Sequence, residues 1–452
     1  MSCRFPRPST LQRRALPPPE TTDLVIVGSD VRLALTQLAL SAGSEGHNAV
    51  LAAQPGFGAP GLYIRSGAAT LEGLYAEIQG SKLEPVLRRN RNGYVLSRPI
   101  VVLKGASLSI GPDETVSLDR DGGALLLSFG HLSITGATIK VVASDVETDP
   151  EAFRPFVASV GSGSLQITDS KLSGLGFDGS DAMTGVAVAT GGLFRSEIAS
   201  LLRSNHFDDI GGITVNGGAE MRIEGNLLEA TRGIGLNVRN SNGILVRRNV
   251  VREAIGDDAM RFAGAVDRAE ISDNAFAGGR HAGLRIEDAA ANLRVTGNLF
   301  TGYRSHGIIV QDGAICITIS SNIVTDNRGG AIEIIRSGPI QVSENAVLDN
   351  RGPGISVSGE AAAGQVTVQH NVFTDNRSGI RSASGHLFLS GNNMKGQLPR
   401  LYSGDLAQFT GPLLRATSGS VAGDVTIHRA TLVEGKVQDA AAGKTCDQQG
   451  QG

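Results

Sequence analysis

The 452-residue sequence has no tryptophan, only 4% aromatic residues and three cysteines. It lacks any run of about 18 apolar residues, so no membrane-spanning helix is predicted. Its 41 basic and 44 acidic residues are mixed along the chain, which excludes the basic surface expected of a nucleic-acid-binding protein. The cysteines lie far apart without the spacing of metal ligands, so the sequence predicts neither a metal site nor a cofactor.

Glycine is abundant, with 60 residues, and it separates short segments rich in Val, Ile, Leu and Ala. That composition is typical of chains with many short strands. Eight such segments open with Gly or Ala, and their first apolar residues lie 21 to 26 residues apart. These residues are Ile213, Ile234, Met260, Leu284, Ile308, Ile332, Ile355 and Ile380. A period of this size predicts a solenoid.

One asparagine recurs with the same period, each time after a strand-like segment. The set consists of Asn226, Asn249, Asn274, Asn298, Asn322, Asn345 and Asn371. A turn asparagine tolerates left-handed backbone geometry, and its side chain can bond to the copies above and below. The repeat therefore predicts an internal asparagine ladder with a structural role.

Short strands with glycine or Asx corners cannot bury their inner faces alone, whereas stacked coils can. The predicted fold class is all-β, a right-handed parallel β-helix with terminal caps. The predicted divisions are a disordered segment at residues 1–20, an N-terminal capping segment at 21–92, the β-helix at 93–400, and a C-terminal cap and tail at 401–452. A helix-like stretch at residues 30–43 lies within the first cap.

Alternation within the repeated strands predicts which side chains face outward. With Ile234, Leu236 and Val238 inward, alternate residues of every coil stack on the surface about 4.8 Å apart. The first predicted outer row is Thr214, Gly235, Arg261, Arg285, Ile309, Glu333, Ser356 and Arg381. The second predicted outer row is Asn216, Asn237, Ala263, Glu287, Gln311, Ile335 and Ser358.

Two arginines on neighbouring coils stand out in the first row. Arg261 and Arg285 repel each other unless an anion, or a carboxylate such as Glu287 or Glu333, lies between them. They are therefore candidates for holding an anionic ligand. The structural alternative is a solvated ladder satisfied by nearby acids, namely Asp257, Asp258, Glu287 and Asp288.

Histidines and paired aspartates occur in the same coils. His281 and His306 precede adjacent strands, and either could act as a general base near neutral pH. The sequence GDDAM at 256–260 is similar to the paired-carboxylate turn of glycosidases on β-helices. Asx pairs are also common in plain β-turns, which is the alternative for Asp257 and Asp258.

Several stretches outside the generic repeat resemble a known family. They are GYVLSRPIVVLKGASLSI at 93–110, FRPFVASVGSGSLQITDSKLSGLGF at 153–177, FDDI at 207–210 and the closing SGSVAGDVTIHRATLV. Together with the repeats they resemble the periplasmic mannuronan C5-epimerases of alginate biosynthesis. The resemblance implies a parallel β-helix acting on an anionic polysaccharide, a periplasmic or secreted location, and polysaccharide-export proteins as partners. No signal peptide is recognisable in the sequence.

The resemblance also bears on individual residues. Family members carry an Asp-Pro-His-Asp motif after a Gly-Ile pair, whereas Gly233-Ile234 is followed here by Gly-Leu-Asn-Val. The family's catalytic histidine falls on Asn237, which cannot take up a proton, so that base does not carry over. The family's carboxylate-neutralising arginine falls on Arg261 by spacing, with an offset of two or three positions in register.

The leading hypothesis is a protein that acts on a uronate-containing polymer by C5 proton abstraction, with Arg261 and Arg285 holding the carboxylate. The base would be His281, His306 or Glu287. Reprotonation of the intermediate would give epimerisation, and loss of the 4-linked oxygen would give elimination. The predicted substrate-binding residues are Asn237, Arg239, Arg285, Gln311 and Glu333.

Two other functions remain open. The first is a catalytically silent homologue that holds or guides an exopolysaccharide during synthesis or export. The second is a lyase or glycosidase that uses Asp257 and Asp258, which requires both carboxylates to be exposed in one groove. Calcium could be recruited beside a bound carboxylate, because Asp257, Asp258 and Glu287 offer oxygen ligands.

Overall fold

The computed structural model describes residues 23–42, 60–143, 153–177, 183–190, 198–359, 364–383, 386–418, 425–428 and 431–434. The predicted disordered segment and most of the predicted tail lie outside these residues, and the division into four segments stays a prediction. The described chain winds into coils whose strands stack into three long sheets, here named A, B and C. The predicted all-β fold, a parallel β-helix, is confirmed.

Gly61–Thr70 contributes its first half to sheet A and its second half to sheet B. The other strands of sheet A are Val25–Ser29, Ile100–Val102, Leu126–Ser128, Val157–Val160, Gly185–Ala189, Gly212–Asn216, Leu236–Arg239, Met260–Ala263, Leu284–Ile286, His306–Gln311, Gly330–Ile335, Pro353–Ser358, Ser378–Ala383 and Arg400–Gly404. The other strands of sheet B are Ala106–Ile110, His131–Thr135, Ser164–Thr168, Leu201–Arg203, Arg222–Glu224, Leu245–Arg247, Glu270–Ser272, Arg294–Thr296, Ile317–Ser320, Ile340–Ser343, Val366–Gln369, Leu387–Ser390, Val425–His428 and Thr431–Glu434.

Sheet C closes the third side of the coils. Its strands are Leu87–Asn90, Gly93–Leu96, Thr115–Asp119, Thr138–Val142, Lys171–Ser173, His206–Asp208, Leu227–Glu229, Val250–Ala254, Ala275–Gly279, Leu299–Tyr303, Ile323–Thr325, Ala346–Leu348, Val372–Thr374 and Asn393–Lys395. The helices are α1 (Arg32–Ala42), α2 (Leu71–Ile78) and α3 (Thr410–Ser418), with short 3₁₀ turns at Glu84–Val86 and Asp405–Phe409. None of the described helices is long and apolar enough to span a membrane.

The apolar residues of successive coils form columns inside the solenoid. In sheet A one column contains Ile213, Leu236, Met260, Leu284 and Ile308, which pair in register and are buried. The prediction that Ile234 occupies this column is wrong, because Leu236 takes the place two residues later. Ile234 lies in the preceding turn, before the strand begins.

The predicted asparagine ladder is confirmed. Each side chain donates from Nδ2 to Oδ1 of the asparagine on the next coil, at 2.9 to 3.0 Å for the pairs from Asn226 to Asn371. Asn205 and Asn392 extend the ladder at its two ends. A second ladder, not anticipated from the sequence, runs through Asn327, Asn350 and Asn376. Both ladders satisfy buried turn groups that would otherwise lack partners.

The outer face of sheet A changes character along the solenoid. On its first strands the outward residues are apolar, and α1 covers them with buried Ala34, Leu35 and Leu38. Phe153 and Phe156 join the same cluster. From the strand Gly212–Asn216 onward most of the outward residues are polar. The candidate functional residues lie on this later, polar part of the face.

Candidate functional site

A row of outward residues on sheet A forms the centre of the candidate site. Asn237, Arg261, Arg285, Ile309 and Glu333 pair in register on five consecutive coils. The sequence placed Gly235 in this row and Asn237 in the second row, and both placements are wrong. Because the strand begins at Leu236, Asn237 lies in the same row as Arg261 and Arg285. Arg239 then occupies the position beside Ala263 that was predicted for Asn237.

Asp258 lies between the two arginines and is fully buried. Its Oδ2 accepts hydrogen bonds from Nη2 of Arg261 at 2.7 Å and from Nε of Arg285 at 2.7 Å. Its Oδ1 accepts the backbone N–H of Ala282 at 3.0 Å. Burial raises the pKa of Asp258, but hydrogen bonds from both arginines and from Ala282 lower it more, so the net pKa is below the ordinary value.

The carboxylate that separates the like charges is thus Asp258 rather than Glu287 or Glu333. Arg261 is also bonded to Asp257 at 2.9 Å through the same Nη2. Both guanidinium groups use their Nε and Nη2 edge for Asp258. Among the contacts of the described residues, Nη1 of Arg261 has no hydrogen bond and Nη1 of Arg285 has only a 3.4 Å bond to Gln311.

Glu287 and Gln311 lie beside the arginine pair. Gln311 donates from Nε2 to Oε2 of Glu287 at 2.8 Å, and it accepts the bond from Arg285 through its own Oε1. The other oxygen of Glu287 lies 3.8 Å from Nε of Arg261. Gln311 therefore links Arg285 to Glu287, and the three side chains form one connected polar group.

His306 opens the strand His306–Gln311 and lies at the edge of this group. Its Nδ1 is 3.5 Å from Oε2 of Glu333 and 3.2 Å from Oγ of Ser305. Burial lowers the pKa of His306, Glu333 raises it and Arg285 lowers it, with a net pKa below the usual value. The imidazole is therefore neutral at pH 7 and able to accept a proton.

His281 occupies the turn one coil earlier, where its backbone carbonyl accepts the N–H of Ser305. Its Nδ1 lies 3.9 Å from Oδ1 of Asp257, and about half of its side chain is exposed. The two histidines thus lie on adjacent coils, each beside one carboxylate. Asn237 is buried, and its Oδ1 accepts no hydrogen bond from the residues that the structure describes.

Asp257 and Asp258 differ in their surroundings. Asp257 is partly exposed, whereas Asp258 has 0% exposure and both of its oxygens are occupied. The requirement of the glycosidase hypothesis, two carboxylates exposed in one groove, is not met by this pair. Sequence reasoning named Asp258 among the acids that could satisfy the two arginines but did not predict its burial between them, because side-chain direction within a turn does not follow strand alternation.

The acidic side chains do not form a metal cage. Within the described part of the chain, no group of three or more His, Cys, Asp or Glu side chains is arranged to hold a metal ion. The calcium site considered from the sequence stays a prediction, and of its three proposed ligands Asp258 already has both oxygens engaged in hydrogen bonds.

Comparison with known proteins agrees with this architecture. A family model described as the right handed beta helix region matches residues 157–315 and 262–394, which together span more than half of the chain. The chain belongs to the right-handed β-helix family. No curated protein matches it in sequence.

Solved structures of one protein share most of the fold. The crystal structure of the periplasmic alginate epimerase AlgG superposes with a TM-score of 0.70 and 18% identity, over 84% of this chain and 92% of that chain. A mutant of AlgG gives 0.69 and 17%, with the same coverage. The A-module of the Azotobacter vinelandii mannuronan C-5 epimerase AlgE4 gives only 0.39 and 13%, over 83% and 96%. The predicted resemblance is confirmed at the level of the fold.

Proposed function

We propose that the protein binds a uronate-containing polysaccharide on the polar part of sheet A and removes the C5 proton of one unit with His306. The observation that carries this proposal is the position of His306. It is a mostly buried imidazole beside Glu333, one coil from Arg285. A proton held on Nδ1 toward Glu333 leaves Nε2 as the acceptor, which is the arrangement that a general base needs.

Removing the C5 proton of a uronate places negative charge next to its carboxylate, so that carboxylate must be neutralised. Arg261 and Arg285 are held in place by Asp258, which leaves Nη1 of Arg261 for a ligand and Nη1 of Arg285 with only the long bond to Gln311. Each guanidinium thus needs little reorganisation to receive a carboxylate oxygen. Glu287 and Gln311 would fix the direction of Arg285.

The remaining predicted residues receive secondary roles. His281, one coil from His306 and half exposed, is the alternative base or the proton donor. Asn237 and Arg239 would contact the neighbouring sugar units on the coil before Arg261. A periplasmic or secreted location and contacts with export proteins belong to the same proposal, and the likeness to the periplasmic AlgG supports the first of these.

A catalytically silent polysaccharide-binding homologue is the second candidate. Asn237 favours it, because an asparagine stands in the arginine row where the family resemblance implies the catalytic histidine. In that case the groove would hold the polymer and His306 would contribute only to binding.

Isotope exchange separates the two candidates. We expect purified protein, incubated with polymannuronate in heavy water, to introduce deuterium at C5, as measured by NMR. The variant His306→Gln should lower that rate by roughly a hundredfold or more, as expected for loss of a general base. The matched control is His206→Gln, since His206 forms its own pair with Glu229 at 2.7 Å on sheet C.

Each outcome has a definite meaning. Polymer binding without any exchange in the unsubstituted protein would replace the proposal by the silent homologue. Exchange that survives in His306→Gln would show that another group, with His281 first, removes the proton.

A further inference from the structure

A second row of arginines lies along the turn that precedes sheet A. These arginines occupy equivalent positions on successive coils. The backbone N–H of one arginine donates to a carbonyl on the preceding coil, and that carbonyl belongs to the residue directly before the preceding coil's arginine. The bonds run from Arg304 to Gly279, Arg328 to Tyr303, Arg351 to Asn327 and Arg377 to Asn350. Five arginines on consecutive coils therefore stack in one line, and we name them the arginine track: Arg280, Arg304, Arg328, Arg351 and Arg377.

All five side chains of the arginine track are exposed. Within the residues that the structure describes, none of their guanidinium groups forms a hydrogen bond or an ion pair, whereas Arg232, Arg247, Arg268 and Arg336 all do. Like charges about 4.8 Å apart repel one another. A row of like charges without direct partners is more favourable when an anion lies along it.

The turn itself explains why the arginines project in the same direction. In the last three coils the sequence Asp-Asn-Arg repeats, with the aspartate in the left-handed region at φ 51 to 54°. Gly278 and Gly302 take the same left-handed conformation in the first two coils. In the last three coils the asparagine belongs to the second buried ladder. The arginine follows directly and is left at the surface.

The arginine track begins at the candidate site and extends away from it. Arg280 is adjacent to His281, and Arg304 is separated from His306 only by Ser305. The same position is occupied by exposed Ile255 on the coil before the track and by exposed Leu398 on the coil after it. The row thus spans five coils, roughly 19 Å at the spacing of stacked strands.

We propose that the arginine track binds a linear carboxylated polysaccharide and guides it to or from the site, along the C-terminal coils of the solenoid. The proposal rests on the proposed function, in that it takes the same polymer. A single file of charges at regular spacing suits one extended chain that carries one carboxylate per unit. Asp326, Asp349 and Asp375 lie two residues before Arg328, Arg351 and Arg377, so carboxylates run beside the last three arginines of the track and reduce its net charge.

Binding as a function of chain length tests the track. The test variant carries Arg328→Ala, Arg351→Ala and Arg377→Ala, which leaves the turns with His281 and His306 intact. The control carries Arg222→Ala, Arg268→Ala and Arg336→Ala, three comparably exposed arginines with side-chain exposures of 57%, 60% and 61%. Affinity for short and long oligomannuronates is measured by calorimetry at low and high salt.

We expect long oligomers to bind the unsubstituted protein more tightly than short ones. The track variant should lose about tenfold or more in affinity for the long oligomers at low salt, and this loss should shrink at high salt. The control variant should behave as the unsubstituted protein does. An unchanged length dependence in the track variant would overturn the proposal, as would tighter binding of single-stranded DNA than of polymannuronate.

The binding and exchange experiments distinguish a failure of the arginine-track proposal from a failure of the proposed function. Deuterium exchange at C5 together with a track variant that binds normally would reject the track alone. A length dependence that requires the track, in a protein without any exchange, would reject proton abstraction alone. His306→Gln should keep the length dependence, because His306 is not part of the arginine track.

Discussion

Asp258 holds the two arginines of the candidate site in position. It is fully buried and accepts hydrogen bonds from Arg261, Arg285 and the backbone of Ala282. Two guanidinium groups on adjacent coils would otherwise repel each other and turn toward water. A carboxylate in this position therefore stabilises the fold and also presets the groups that would receive a substrate carboxylate.

Replacing this carboxylate should destabilise the protein. We expect Asp258→Asn to lower the free energy of unfolding by about 1–3 kcal/mol, because two arginines lose a charged partner while retaining partial access to water. Asp257→Asn is the matched control and should change stability by less than about 1 kcal/mol, since Asp257 is partly exposed. Urea unfolding followed by circular dichroism measures both. Equal effects of the two substitutions would contradict the assignment.

The same residue predicts a dependence on pH. The pKa of Asp258 is lowered in the folded state, so its contribution is fully present above about pH 3.9, the ordinary aspartate value. This contribution to stability decreases as the pH falls below that value and is lost once the pH passes the lowered pKa of the folded state. The unfolded chain has the higher pKa, so it takes up the proton first and is favoured by acid. The acid-induced loss of stability should be shallower in Asp258→Asn than in the unsubstituted protein.

Sequence reasoning found the arginines and named Asp258 among four acids that could pair with them, but it did not single out Asp258 or predict its burial. Arg261 and Arg285 lie in strands, where alternation and the coil period predict their stacking, and the structure shows them paired in register. Asp258 lies in a turn, where backbone conformation sets the direction of the side chain and no periodic rule applies. For the same reason the sequence could not distinguish a turn aspartate from a catalytic one.

At the scale of the strands, the coil register was predicted except at one place. The segment Gly-Ile-Gly-Leu-Asn-Val at 233–238 alternates throughout, so a shift by two residues leaves the same side chains inside. The sequence therefore fixes the inward face but not whether Ile234 or Leu236 begins the strand. The longer turn before Leu236 decides this, and it moves Asn237 into the row with Arg261.

The asparagine ladder should contribute strongly to the stability of the coils. Asn298 is buried, receives a bond from Asn274 and donates to Asn322 and to the carbonyl of Ile271. We expect Asn298→Ala to lower the free energy of unfolding by about 2–4 kcal/mol, because several buried groups lose their partners. Asn393→Ala, at an exposed position of sheet C, should change it by less than about 0.5 kcal/mol.

Chemical denaturation of both asparagine variants provides the comparison. A loss at Asn298 no larger than that at Asn393 would mean that the ladder is incidental to stability.

The first ladder was predictable because its asparagines follow the same strand in every coil. The second ladder was missed because its three asparagines are confined to the last coils and stand next to the more conspicuous charged residues.

Across the whole molecule, the outer face of sheet A is divided along the solenoid axis. Helix α1 and two phenylalanines cover its N-terminal strands, the arginine pair and His306 lie in the middle, and the proposed arginine track continues toward the C-terminal coils. The net charge of −3 conceals this organisation, because total charge says nothing about which residues stack. A polymer held along these residues would run parallel to the solenoid axis past His306, with the arginine track beside its C-terminal part.

The pH dependence of C5 exchange tests proton abstraction by His306 most directly. The measurement is the rate of deuterium incorporation into polymannuronate across the acid and neutral range. Because the pKa of His306 is lowered, we expect a constant rate above about pH 6.5, the ordinary histidine value, and a decline only below it as the base becomes protonated. A rate that still rises well above pH 6.5, or one that increases on acidification, would contradict a neutral His306 as the base.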